Sequence, residues 1–202
     1  MKGAGLNSGP SCSCSLPASK IDVAKIEELF AACDQHGLAL AQPSLYDQYL
    51  SHDIVKTRQE EGSLVRFTNF VEVQAPVFHG RALDILAPTI LDERVKCGWG
   101  LDYAWPHLLR RGIERGELPA SEPHDIGIVD QVAVLHTKAP GAGWAAKPGG
   151  RGDAFYAKQS INPEEEMEAT LRQYGLSNRN KPRPCEDFKR RISRKTSEVL
   201  FS

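Results

Sequence analysis

The chain contains no apolar run near the roughly 20 residues that a membrane helix requires. None of its 202 residues is therefore read as spanning a bilayer. Lys2 is not followed by an apolar stretch, so no secretory leader is read at the start. The chain also lacks an excess of either charge. It carries 25 Lys and Arg against 26 Asp and Glu, for a net charge of -1. That removes the bulk electrostatic argument for nucleic acid or an anionic membrane as partner. A paired cysteine framework is missing as well. Cys12, Cys14, Cys33, Cys97 and Cys185 are odd in number and scattered, which argues for a reducing compartment and a cytoplasmic location. Cys12 and Cys14 could offer two metal ligands, but no second Cys or His pair follows at finger spacing, and zinc is not expected. No internal repeat is visible.

What is present suits one ordinary domain with a real core, at 41% hydrophobic and 25% charged residues. Residues 1–19 are Gly, Ser, Pro and Cys with few large apolar groups, and read as a flexible lead-in. A helix over about 20–35 follows. Ser19 is its expected N-cap, Ile21, Ile26, Leu29 and Phe30 its apolar face, and Gly37 its stop. Leu38 to Gln42 reads as a buried strand halted by Pro43, and 46–63 as loop. Leu64 to Gln74, rich in β-branched and aromatic residues, reads as the clearest strand. Helices are expected over about 80–91, kinked or shortened by Pro88, and over about 101–115. A second strand is expected over 126–136, and a late helix opens at Pro163 with Glu164, Glu165 and Glu166 in its first turn and Gly175 as its cap. Residues 138–152 are Gly-, Pro- and Ala-rich, with Trp144 as a possible lid contact. Residues 176–202 form a basic polar tail, read as solvated or, alternatively, as binding phosphate.

Two segments could carry chemistry. In Gly98-Trp99-Gly100-Leu101-Asp102-Tyr103-Ala104-Trp105 a carboxylate stands at a helix start beside a glycine-flanked indole. Such a pair suits a sugar, whose C–H face packs on the ring while the carboxylate takes a hydroxyl proton. The same residues equally fit a helix-capping Asp102 with both tryptophans in the core. In the second segment His136 ends a strand next to a glycine-rich loop, where it could bind a divalent metal or a diphosphate, or be a satisfied strand-end histidine. Asp130, inside that strand, reads as an ordinary buried and hydrogen-bonded carboxylate.

The segments LALAQPSL, LVRFTNFVEVQAPVF, GWGLDYAWPHLL and IGIVDQVAVLHTKAPG occur in this order over about residues 20–175. Together they resemble a bacterial and plant domain family whose plant members are labelled lysine-ketoglutarate reductase trans-splicing related, and which is similar to glycosyltransferases of the GT-A fold. The resemblance implies an α/β fold with a small mixed sheet flanked by helices. It implies transfer of a sugar from a nucleotide-sugar to a carbohydrate or other hydroxyl acceptor, with a divalent metal, Mn or Mg. It also implies site roles. Asp102 would be the acceptor-site base, and Trp99 and Trp105 the aromatic wall. Arg66, Asn69 and Glu72 would line the same cleft, and His136 would complete a metal or diphosphate site. Asp102 and His136 are expected to open onto one cleft.

One departure shapes the expectation. Family members carry an acidic Asp-Asp-Asp segment after a nucleotide-binding region, just before the first helix. Here that position reads Ser13-Cys14-Ser15-Leu16-Pro17-Ala18-Ser19-Lys20. The chain is therefore expected to be a partial GT-A-like domain without its N-terminal nucleotide-binding half, binding nucleotide-sugar poorly by itself. The alternative is a non-catalytic carbohydrate-binding or scaffold remnant. The family's arginine after His-Thr is replaced by Lys138.

Overall fold

The structure is a computed structural model that describes residues 19–46, 54–136, 156, 160–179, 190–193 and 199–201, with the backbone alone at Ser19, Lys20, Ile54, Val55, His136, Arg190, Arg191 and 199–201. The readings of 1–18, of the glycine-rich segment with Trp144 and of Lys138 fall outside these residues. No described helix is long and apolar enough to cross a membrane.

Elements follow in chain order: β1 (Ser19–Lys20), α1 (Val23–Gln35), β2 (Leu38–Tyr46), β3 (Ser63–Phe67), β4 (Val77–Phe78), α2 (Gly80–Ile90), α3 (Leu101–Glu114), β5 (Asp125–His136), α4 (Pro163–Gln173), β6 (Arg190–Ser193) and β7 (Val199–Phe201). A short 3-10 turn, Ile54–Thr57, lies inside the stretch expected to be loop. Among the described residues the strands form one mixed sheet in the order β4-β2-β5-β3-β6-β7, with β1 also on β5. The central pair, β2 and β5, is parallel, and β3 runs antiparallel to β5. The expected α/β class with three neighbouring strands is thus present.

Several boundaries move, each for a physical reason. The helix does not start at Ser19, because Ser19 and Lys20 pair with His136 and Leu135. Asp22 is the N-cap instead, its carboxylate accepting the Ala24 N–H at 3.1 Å. The buried face of α1 is Leu29, Ala32 and Cys33, while Ile26 and Phe30 point outward. Gly37 follows α1 in the left-handed region, φ 64°, as its stop.

Strand β2 runs through Pro43 to Tyr46 rather than halting there. Strand β4 pairs only at Leu40 and Ala41, so Pro43 has no partner on that side among the described residues. The register against β5 shifts directly after Pro43, where a missing N–H is tolerated. Strand β3 is shorter than expected and ends at Phe67, opposite Gly127, because β5 itself begins at Asp125. Thr68 makes the last bond, its N–H to Ile126 O at 2.8 Å. Its hydroxyl then accepts the Phe70 N–H and turns the chain across the sheet. Phe70 and Val71 are both buried there, in two adjoining apolar clusters, so the two-residue alternation fails beyond Phe67.

Helix α2 keeps Pro88 within its last turn, and Leu91 N–H still reaches Ala87 O. The basic tail is not wholly a solvated appendage, since β6 pairs with β3 and β7 with β6.

Opposite sheet faces build two cores. Helix α1 covers Leu38, Ala41, Val65, Phe67, Val129 and Val132. Helices α2 and α3 cover the other face, on Ala39, Leu40 and Ile126. Trp105 belongs to this second core.

Candidate functional site

Strands β2 and β5 both run toward Tyr46 and His136, and the carboxyl ends of parallel strands are where α/β sheets usually bind ligands. Side chains two apart share a face. Leu40 therefore puts Gln42 on the α3 side, and Ile126 and Ile128 put Asp130 there. A group of buried polar residues gathers on or above that face: Gln42, Arg66, Asn69, Glu72 and Asp130.

Arg66 and Asp130 use each other. Arg66 Nε meets Asp130 Oδ2 at 2.7 Å and Nη2 meets Oδ1 at 2.8 Å. Nη1 donates to Lys56 O and Nη2 to Arg58 O, while Glu60 N–H donates to Asp130 Oδ1. The pair clamps the 56–60 segment against the sheet. Arg66 is thus a structural anchor, and its guanidinium does not line a cleft as expected. Asp130, fully buried, bears out its reading as a hydrogen-bonded carboxylate.

Glu72 is different. Its backbone N–H donates to Gln42 Oε1 at 2.6 Å, which fastens the turned segment to β2. Its carboxylate accepts the Gln74 N–H at 2.8 Å. No cation pairs with it among the described residues. Burial pushes the carboxyl up to about 7, and the bonds from Gln74 pull it only partly back. A carboxyl poised near neutrality without a structural counter-ion is a functional-site signal. Gln74 Oε1 is a buried acceptor with no partner among the described residues.

The Gly98-Trp99-Gly100 turn has glycine φ angles of 82° and 96°. Glu166, in the first turn of α4, accepts the N–H groups of Lys96, Cys97 and Gly98 at 2.8–3.1 Å and pins the turn from outside. A Cβ on Gly100 would stand 3.1 Å from Met167 O and from Thr170 Cβ, so only glycine lets α4 pack this closely. The half-buried Trp99 ring then meets Tyr156 edge-on, centroids 6.5 Å apart. Burial raises the Tyr156 phenol, the Trp99 indole N–H lowers it, and the charges of Cys97, Glu166 and Glu72 raise it again. The Cys97 thiol is pushed up to about 12, first by burial, which leaves it no nucleophile.

The remaining expected site residues separate. Asp102, half-buried in the first turn of α3, accepts the Tyr103 N–H at 3.0 Å. Trp105 is only 3% exposed; its Nε1–H bonds Thr89 Oγ1 at 2.8 Å and its ring packs edge-on to Phe78. It is core and cannot stack on a sugar, contrary to the expected wall. Asn69 is buried near Glu72 in sequence. His136 ends β5, and its side chain lies outside the described residues.

Among the described residues no group of three or more His, Cys, Asp or Glu side chains could hold a metal ion. Reading the sequence missed four contributors. Gln42 carried a signal, as a lone amide inside an apolar strand. Glu166 was credited only with the helix dipole. Gln74 and Tyr156 had no pattern to mark them. No family model matches the chain, and neither a curated protein nor a solved structure matches it.

Proposed function

We propose that this chain is a cytoplasmic glycosyltransferase-like protein whose described part is the hydroxyl-acceptor side. The resemblance of its four linked motifs supplies the reaction class. The observation that carries the reading is the pinned Gly98–Gly100 turn, which holds Trp99 against Tyr156 three residues before Asp102. An aromatic face and a carboxylate at a fixed spacing are what a sugar acceptor requires.

In the reaction, the acceptor hydroxyl gives its proton to Asp102 as its oxygen forms a bond to the donor sugar's C1. The C1–O bond to the diphosphate breaks, and the nucleoside diphosphate leaves with the electron pair. Trp99 packs on the acceptor's C–H face and fixes its orientation. A divalent ion, where bound, would stabilise the charge on the leaving diphosphate.

A second reading, a carbohydrate-binding module without turnover, is favoured by the stretch before the first helix, Ser13 to Lys20, which carries no carboxylate where the resembling family has an acidic cluster. One assay separates the two. Uridine and guanosine diphosphate sugars with manganese are offered with a panel of hydroxyl acceptors, to this chain and to an upstream-extended version. Transfer that falls about a hundredfold in Asp102→Asn supports the transferase. Acceptor binding with no transfer in either version supports the module. Transfer untouched by Asp102→Asn overturns the role of that residue.

A further inference from the structure

Helix α1 packs on one sheet face through Leu29, Ala32 and Cys33 and turns its other side outward. Three large apolar side chains stand on that outer side: Val23 at 76% exposed, Ile26 at 37% and Phe30 at 51%. Scattered singly, such residues need no explanation, but these are ordered. Val23, Glu27, Phe30 and Asp34 follow one another at steps of four, three and four residues. That spacing sets them along one line of the helix, with Ile26 beside it. The ridge thus alternates apolar and acidic. Lys25, the one cation of α1, is taken by Glu28, whereas Glu27 and Asp34 make no ion pair among the described residues. Helices α2 and α3 lie on the opposite sheet face, so this ridge is no part of the candidate acceptor site.

We infer that the ridge from Val23 to Asp34 is a docking surface for a basic amphipathic helix of another protein, one that alternates apolar residues with Lys or Arg at the same steps. The inference stands apart from the acceptor reading. A helix laid along α1 buries its apolar residues against Val23, Ile26 and Phe30 and sets its cations on Glu27 and Asp34. The apolar contact supplies the affinity, and the two carboxylates choose the partner. Other occupants fit worse. A second copy laid parallel sets carboxylate on carboxylate, and one laid antiparallel sets each apolar side chain against a carboxylate. An anionic bilayer is repelled by Glu27 and Asp34 at the place where the apolar side chains would enter it. With only one helix face offered, the complex is a transient one.

The probes are two fluorescein-labelled helical peptides of about 18 residues. They share one leucine stripe and differ only in carrying Lys or Glu along its borders. Binding to the full chain is read by fluorescence anisotropy. The Lys peptide is expected to bind saturably and about tenfold or more tighter than the Glu peptide. Phe30→Asp should weaken it by about tenfold or more, and Leu91→Asp, at an equally exposed apolar position beside α2, should leave it within about twofold. Glu27→Lys together with Asp34→Lys should reverse the preference between the peptides, which a mere folding defect cannot do. Thermal unfolding of each variant is followed alongside. The inference is overturned by equal binding of the two peptides or by no saturable binding of the Lys peptide. Binding unmoved by Phe30→Asp, or lost as fully in Leu91→Asp, overturns it too. A sedimenting dimer that Phe30→Asp dissociates overturns it in favour of a second copy. Capture on phosphatidylserine vesicles that Phe30→Asp abolishes overturns it in favour of a membrane.

Discussion

Arg66 and Asp130 lie 64 residues apart in the chain and meet through two hydrogen bonds of 2.7 and 2.8 Å, with Asp130 wholly buried. Removing one partner leaves a buried charge uncompensated. Asp130→Ala should therefore cost about 3–5 kcal/mol in denaturant unfolding, and Arg66→Met with Asp130→Leu together markedly less. A single-mutant loss under about 1 kcal/mol would show that the pair is not the clamp described.

Glu166 should be the residue whose loss most disturbs Trp99 without touching it. Glu166→Ala strips acceptors from three successive backbone N–H groups, with an expected cost of about 1–3 kcal/mol. Trp99 should become more open to an aqueous quencher. Unchanged quenching in a folded variant would contradict the pinning of the turn.

Gly100→Ala tests the close approach of α4. The position combines φ of 96° with only 3.1 Å to Met167 O. Both terms are unfavourable to a Cβ, and a loss of about 1–3 kcal/mol is expected by thermal or chemical unfolding. Gly116→Ala has the same sign of φ but nothing within 4 Å, so it is the control that isolates the steric part.

Glu72 gives stability a pH dependence of definite sign. Its ordinary value of 4.5 rises to about 7 in the folded protein, so the folded state holds the proton more tightly. The contribution is full below about pH 4.5 and is lost as pH rises through about 7. Tyr156 is the titratable group that senses its charge, and it stays neutral over this window. Between pH 5 and pH 8, wild type should lose up to about 3 kcal/mol relative to Glu72→Gln in urea unfolding. Parallel curves for the two proteins would place Glu72 in water.

The extent to which the fold was legible follows the range of the forces involved. Helices α2, α3 and α4 have local stop and start signals, Gly100, Gly175 and Pro163 among them, and their bounds match the periodicity closely. Strands depend on partners far away, and there the reading slipped. The β-branched run after Phe67 looks like strand, yet the chain turns because β5 has run out. The tail looks solvated by composition, yet β3 offers it an edge. In the site, Trp99 and Trp105 carry identical local credentials. Only the Thr89 hydroxyl and the Phe78 ring, 16 and 27 residues away, decide that Trp105 is core.

The parallel pairing of β2 with β5 also sets the order in which the chain can assemble. Ser44 and Val132 touch although they lie 88 residues apart in the chain. Closing so long a loop costs entropy before any ladder bond repays it. Helices α2 and α3, neighbours in sequence and locked by the Trp105–Thr89 bond, need no such closure. They are positioned to form first and to offer β2 and β5 a surface to zip against. The sheet's centre is then the expected bottleneck, since topologies built on non-local strand pairing fold slowly.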